Sequence, residues 1–356
     1  MSPVVREEPS AWGARLRAAA AAGALSDLPF VQQPAWAASK ALTGWESVRL
    51  VAQDGAAWAG AQLLLQRLPA GLGRIAYAPR APIVVASDEA LAAVRRAEVL
   101  RGLSELGSDG VTMVRLEPGE SAPLPEEADQ VNPADALSAK LRDPWLVAAT
   151  AARIALHRAR PVQPSTSRRI DLTAGMESVR AAWRSKWRQY ARHATESGVT
   201  VRAVGADGAD ALYTAMTSIS GRTGVKTRSS AAFAHIVKAF NGEAEILIAD
   251  SPSGETLGAL LVITTPPTTT ELFGGAPNLG TELRAPYALK VTAMERAVAR
   301  GSATYDMWGI STRGIAHFKA GWGGAPVVYP GALDLDLDPI RGPLVRLALR
   351  LRGFGA

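Results

Sequence analysis

The residues best suited to chemistry in this 356-residue sequence lie in its second half. Arg180, Arg184, Arg188 and Arg192 recur every fourth position, with Lys186 and His193 close by and no carboxylate between Glu177 and Glu196. On a continuous helix that spacing makes one stripe. Like charges four residues apart weaken an isolated helix by about a few tenths of a kcal/mol per pair, so the stripe calls for something that offsets the repulsion. A polyanion such as nucleic acid would do so. A solvated face, or acids brought up by the fold, would serve equally well. Val179, Trp183, Tyr190 and Ala194 make the opposite, core-facing side, and Trp187 beside Arg188 offers a ring on which a base or sugar stacks.

Lys319 stands in Phe318-Lys319-Ala320-Gly321-Trp322-Gly323-Gly324. Glycines there let the backbone turn sharply and approach a ligand closely, and a lysine held against aromatic rings can offer its ammonium to a developing oxyanion. A glycine-rich turn with a surface lysine is the plainer alternative. Asp306, within Tyr305-Asp306-Met307-Trp308-Gly309, falls at a strand end beside a potential cleft. A buried strand aspartate is more often a hydrogen-bonded structural acid.

Other chemistries are excluded by what is missing. The chain has no cysteine, so disulfides, thiolate metal sites and cysteine nucleophiles are ruled out. His157, His193, His235 and His317 show no zinc-ligand spacing, so no metal is expected. Gly71-Leu72-Gly73 precedes strands instead of opening a helix, and there is neither a P-loop nor a Gly-x-Ser-x-Gly elbow. Asp334, Asp336 and Asp338 resemble the start of a calcium loop, but Pro339 replaces the needed glycine and the alternating leucines describe a strand. Gly280 stands alone in the stretch 277–287, without the small neighbours that let backbone N–H groups converge on a pyrophosphate. The net charge of +6 favours anionic partners, or reflects an arginine-rich composition alone.

No apolar run approaches the roughly 18 residues of a spanning helix, and the alanines at 18–22 read as part of an amphipathic helix, not a signal peptide. Leu344, Leu347 and Leu351, flanked by Arg346, Arg350 and Arg352, could meet an anionic membrane surface or pack on the domain, with packing expected.

The elements that must position these residues follow from pattern. Helices are expected over 11–24, 89–106, 144–157, 175–197, 207–218, 231–240 and 287–300. Strands are expected over 47–51, 57–65, 74–77, 82–85, 112–116, 169–172, 199–203, 244–250, 256–264, 270–273 and 303–308, with a hairpin turn at Asp54-Gly55 and a closing extended stretch over 324–338. Two prolines and three hydroxyl residues at 161–167 mark a boundary. The expected class is α/β (α+β), with a first domain of residues 1–160 plus 326–356 and a second of 161–325.

Several segments in shared order resemble the Fem family of non-ribosomal peptidyl transferases, of the short FemX type. They are Gln33-Pro34-Ala35-Trp36 with Lys40 and Gly44-Trp45, Tyr77-Ala78-Pro79-Arg80-Ala81-Pro82, and Arg115-Leu116-Glu117-Pro118. Gln163-Pro164 through Asp171-Leu172, Lys186 and Arg188 with Ala194 and Gly198-Val199, Arg222 and Arg228, and the segments 305–309 and 318–324 complete the series. The resemblance implies two GNAT-like domains in tandem, the first completed by the C-terminal segment, without a coiled-coil arm. It implies a cytoplasmic aminoacyltransferase that moves Gly, Ala or Ser from aminoacyl-tRNA to a side-chain amine of a peptidoglycan stem peptide, on UDP-MurNAc-pentapeptide or lipid II, with no cofactor. Lys40 and Arg228 would bind the diphosphate–sugar part, alongside Trp36, Tyr77, Arg80, Arg222, Phe273 and Asp306. Lys319 would stabilise charge during attack, and Arg180, Arg184, Lys186, Arg188 and Arg192 would bind tRNA. Ala232-Phe233 and Phe273-Gly274 replace aromatic positions of the family and remove phenol hydroxyls from the acceptor cleft. An acyl-CoA-dependent GNAT enzyme, transfer to a small-molecule acceptor, and a non-catalytic RNA- or membrane-binding GNAT pair remain the alternatives.

Overall fold

The computed structural model describes residues 4–223 and 227–352. The chain divides into two compact units, Met1–Thr166 with Val327–Ala356, and Ser167–Pro326. In chain order the elements begin with β1 (Val4–Arg6), α1 (Pro9–Ala21), α2 (Pro34–Ala41), β2 (Glu46–Asp54), β3 (Ala57–Arg67), β4 (Arg74–Pro79), β5 (Ile83–Val85), α3 (Glu89–Ser104), β6 (Val111–Glu117), β7 (Ala122–Pro123), α4 (Asp135–Ala152) and β8 (Leu156–Ala159). There follow β9 (Thr166–Asp171), α5 (Gly175–Ala181), α6 (Ser185–Glu196), β10 (Thr200–Val204), α7 (Ala209–Thr223), α8 (Ser230–Ala239), β11 (Ala244–Asp250), β12 (Thr256–Thr265), β13 (Thr268–Gly275), α9 (Asn278–Glu282), α10 (Ala285–Ala299), β14 (Thr304–Gly309) and α11 (Arg313–Ala320). The chain closes with β15 (Ala325–Val328), β16 (Ala332–Asp336) and α12 (Arg341–Arg352). This is the expected mixed α/β class, and among the described residues no helix exceeds the 18 residues of α4, so no long coiled-coil arm is present.

Both units repeat one plan. In the first, the strand order is β1-β2-β3-β4-β6-β16-β8, with β5 also on β3. Every pairing is antiparallel except β4–β6, whose parallel step needs the crossover supplied by α3. In the second, β10 to β13 form an antiparallel meander, β13 runs parallel to β14 across α10, and β14 turns antiparallel to β9. Gly55 opens the two-residue turn between β2 and β3 at φ +60°, the conformation that suits glycine at that turn position.

The sheet faces bury the apolar alternation. In the first unit Leu63, Val99, Leu103, Val114, Leu116, Trp145 and Leu333 are all fully buried in one cluster. Trp12 and Trp58 meet edge to face at 5.9 Å in a second. In the second unit Trp183 and Trp322 cross at 4.9 Å over a core that also holds Leu257, Met294 and Met307.

Three expectations need correction. The helix expected over 144–157 runs instead over Asp135–Ala152, with Pro144 inside it. Arg142 secures the early part, donating to Asp135 Oδ1 at 2.8 Å and to Pro330 O at 2.7 Å. The helix expected over 175–197 is two helices, α5 and α6, with Ala182–Arg184 between them. The leucines expected to pack, Leu344, Leu347 and Leu351, are exposed, while Val345 and Leu349 pack on Ile75 and Met113.

The returning segment is tied to the first sheet by one buried ion pair. Arg115 on β6 faces Asp334 on β16 and donates Nε to Oδ1 at 2.7 Å and Nη2 to Oδ2 at 2.8 Å. Removing one partner strands the other charge, at a cost of about 3–5 kcal/mol. Asp334→Ala is expected to lower unfolding free energy by about that amount. A denaturant titration showing a loss under about 1 kcal/mol would contradict the assignment.

Candidate active site

Strand β14 is where the second unit departs from regular sheet. Its pairing with β9 runs Tyr305↔Ile170 and Asp306↔Arg169, then slips to Gly309↔Ser167. The slip centres on Trp308, whose φ of +57° lies in the left-handed region, which a bulky residue adopts only where its surroundings hold it. Asp306, fully buried, does the holding. Its Oδ1 accepts the Trp308 N–H at 2.7 Å and the Ser167 hydroxyl, and its Oδ2 accepts Arg169 Nε at 3.1 Å. Asp306 is therefore the hydrogen-bonded structural acid, and it shapes the turn beside it.

The turn points three carbonyls at one spot. Lys319 Nζ donates to Met307 O, to Trp308 O at 3.1 Å and to Gly309 O at 2.7 Å. The residue is only 7% exposed. An ammonium has three protons and here finds three acceptors. Burial pushes its pKa down to about 7, with the charge of Asp306 pulling the other way. Glu271 Oε1 lies 3.9 Å from the same nitrogen. The other oxygen of Glu271 accepts from Lys290 Nζ and from the Tyr305 hydroxyl at 2.9 Å. Burial, and then the neighbouring Lys319, hold Lys290 well below the ordinary lysine range. Two lysines thus share one carboxylate in the core.

Lys319 is not on a loop, as the glycines suggested, but in the last turn of α11, whose N-terminus is capped by Thr312 accepting from Ile315 N at 3.2 Å. The glycines after it serve packing. A side-chain carbon on Gly321 would come within 2.1 Å of the Trp187 ring, and one on Gly324 within 2.2 Å of Arg169 O. Trp187 is correspondingly buried, with Nε1 donating to Phe318 O at 3.0 Å, and offers no free face for stacking a base.

The arginine stripe is broken where α5 gives way to α6. Trp183 turns inward and the Arg184 N–H donates to Gly321 O at 2.9 Å. Arg188 donates to the carbonyls of Trp183 and Ala181, satisfying the open end of α5. Arg180 pairs with Glu295 and Arg184 approaches His317 Nδ1 at 3.4 Å. Lys186 lies over Tyr190 at 5.5 Å, and Arg192 is exposed with no acidic partner among the described residues. Among the described residues only one of the four stripe arginines, Arg180, therefore faces a carboxylate. Arg180, Arg188 and Arg192 rim a groove of about 500 Å³ floored by Trp183, Val199 and Val291.

The remaining residues fall into small groups. In the first unit Lys40 Nζ lies 4.2 Å over Trp36, itself edge-on to Phe30. Tyr77 is buried, donates to Glu117 Oε1 at 3.1 Å and accepts from Gln163 Nε2 at 2.8 Å. Burial raises the pKa of both Tyr77 and Glu117. Arg80 is buried, stacks 3.3 Å from Tyr329 and donates to Pro164 O at 2.8 Å. In the second unit Arg228 lies 5.6 Å over Phe273, which packs on Phe233. The side chain of Arg222, in the last turn of α7, lies outside the described residues. The stretch 277–287 holds α9 and the first turn of α10, and a side chain at Gly280 would collide with Leu257 O.

Glu271 and Lys290 escaped the sequence reading. Their signals were a lone carboxylate beside a run of threonines in β13 and a lysine spaced three and four residues from Tyr287 and Met294 on the core side of α10.

Lys319 has a lower pKa folded than unfolded, so the unfolded chain binds more protons between about pH 7 and pH 10 and stability rises with pH across that window. The Lys319 side-chain nitrogen, assigned by NMR against Lys319→Arg, is expected to be half deprotonated near pH 7. A signal still protonated at about pH 9 would show that the carbonyls outweigh burial.

No protein of curated function matches the chain. Among solved structures it is similar to one described as the crystal structure of FemX, with a TM-score of 0.76 at 16% identity over 97% of this chain and 99% of that one. It also resembles a tandem GNAT protein from the clavulanic acid biosynthesis pathway, with a TM-score of 0.54 at 12% identity over 95% and 99%. A conserved protein of unknown function from Bacteroides thetaiotaomicron VPI-5482 gives a TM-score of 0.51 at 11% identity over 94% and 100%. These likenesses establish the tandem GNAT-like fold. The FemAB family matches residues 25–257 and 250–349, a span that takes in the β14 turn, Lys319 and the arginines of α6, and the chain belongs to that family of acyltransferases.

Proposed function

We propose that the protein transfers glycine, alanine or serine from aminoacyl-tRNA to a side-chain amine of a peptidoglycan stem peptide, on lipid II or UDP-MurNAc-pentapeptide, without a cofactor. It would act in the cytoplasm, in building the interpeptide bridge. The observation that carries the reading is the buried Lys319 ammonium held on the carbonyls of the β14 turn.

The ester of an aminoacyl-tRNA is already activated, so the enzyme needs orientation and a partner for developing negative charge more than a nucleophile. As the amine attacks, a C–N bond forms, the ester C–O bond breaks, the terminal ribose hydroxyl leaves and the amine loses a proton. Charge builds on the ester oxygens during attack. In the charged form of Lys319 all three protons are taken by carbonyls, and the contact to Trp308 O, at 3.1 Å, is the one most readily exchanged for an anionic oxygen. In the second unit the exposed arginines around the α6 groove suit phosphates of the tRNA acceptor end. Lys40 over Trp36 in the first unit, and Arg228 over Phe273 in the second, each present a cation beside an aromatic ring, a setting that suits a phosphate or a sugar. Tyr77, Arg80 and Asp306 support the fold, each being hydrogen-bonded within its own unit.

Transfer to another acceptor, or from acyl-CoA, is the competing reading. The change of acceptor is favoured by the absence of tyrosines at Ala232, Phe233 and Phe273. Incubation with charged tRNAs and either precursor, followed by mass spectrometry, is expected to show a mass gain of one or more amino acids. The gain should fall sharply in Lys319→Met at unchanged circular dichroism. Turnover of acyl-CoA without RNA, or full activity in Lys319→Met, would contradict the proposal.

Arg180→Gln and Arg192→Gln leave the α5 cap made by Arg188 intact. Each is expected to weaken tRNA binding and to reduce the slope of log affinity against log salt by about one unit if its guanidinium meets a phosphate. An unchanged slope in the double variant would assign these arginines to solvent.

A further inference from the structure

Helix α12 carries two apolar stripes, and the fold uses only one. Val345 and Leu349 pack on Ile75 and Met113, beside Leu68 and Leu72. On the other side Ile340, just before the helix, and Leu344, Leu347 and Leu351 are 73%, 53%, 54% and 79% exposed. Steps of four, three and four residues keep them in one row. Single exposed leucines need no explanation, but four aligned at the end of a helix make a continuous patch.

The charges on the helix itself have one sign. The helix sequence holds Arg341, Arg346, Arg350 and Arg352 and no carboxylate. Arg341 pairs with Asp338 at 2.7 Å and Arg346 with Asp336 at 3.0 Å. Arg350 is exposed and has no acidic partner among the described residues. An apolar row bordered by unneutralised arginine is the pattern of a helix lying in the plane of a lipid interface, leucines towards the acyl chains and guanidinium groups towards phosphate. Four side chains offer roughly a few hundred Å², well short of the about 800 Å² per partner of a stable protein interface.

We infer that α12 is an interfacial helix that docks the first unit onto an anionic lipid surface through Ile340, Leu344, Leu347 and Leu351. This holds whichever acyl transfer the protein performs, because the row lies on α12 and shares no residue with the Lys319 cluster or the α6 groove.

Co-sedimentation of the full chain with vesicles tests it, using phosphatidylcholine alone and with about a third phosphatidylglycerol. The chain is expected to bind the anionic vesicles, less tightly as salt rises, and to leave the neutral ones. Combined Leu344→Ser, Leu347→Ser and Leu351→Ser should weaken binding at least about tenfold, and Arg350→Glu, which leaves the apolar row intact, several-fold. Failure to bind anionic vesicles, or equal binding by both variants, would overturn the inference. So would a dimer in analytical ultracentrifugation that the serine variant dissolves, since the row would then be covered by a second copy.

Discussion

A buried ammonium must find either a counter-charge or acceptors for all three of its protons, and the second unit is arranged around meeting that demand for Lys319. Regular sheet cannot do it, because alternate carbonyls of a strand point to opposite sides. The β14 bulge solves this by turning three successive carbonyls to one point. The bulge in turn needs a residue at positive φ with its N–H held, and Asp306 supplies the acceptor. Ser167 and Arg169, on the neighbouring strand, hold the carboxylate. Gly324 lets the chain pass against Arg169, and Gly321 lets α11 close on Trp187. Glu271, Lys290 and Tyr305 form the floor beneath.

The two units share a plan and use its crossover differently. In the second, β14 lies parallel to β13 and its end is given to Lys319. In the first, β6 lies parallel to β4, and its end carries Glu117, which is taken up by Tyr77 and by the backbone N–H groups of Val162 and Gln163. There the polar residues at the strand end are joined to one another. The first unit instead recruits the returning β16, fixed by Arg115 and Asp334, and α12 outside it.

How much of this the sequence disclosed depends on the range of the interaction. Strands with alternating apolar residues and a glycine turn, such as β2 and β3, are local and were legible. So was the reading of Asp334 and Asp336 as strand residues. The break before α6 was not, because the stripe is helical in period and only the burial of Trp183 against Trp322 and the bond from Arg184 to Gly321 interrupt it. Pro144 begins the helix expected over 144–157, whereas α4 carries it in its interior. Lys319 was legible as a residue of interest. Its setting was not, since the carbonyls that hold it belong to residues 10 to 12 positions away and converge only because of Asp306. The unused leucine row on α12 was visible as a pattern, but which row faced the core was not.

Under the proposed function, Asp306 acts on aminoacyl transfer through the turn that presents Lys319. A double-mutant cycle in single-turnover transfer tests this most directly, with Asp306→Asn, Lys319→Met and the combined variant. The account predicts that the combined variant is no slower than Lys319→Met alone, a coupling of about 1–3 kcal/mol. Independent, multiplicative losses would show that the two residues do not act as one unit.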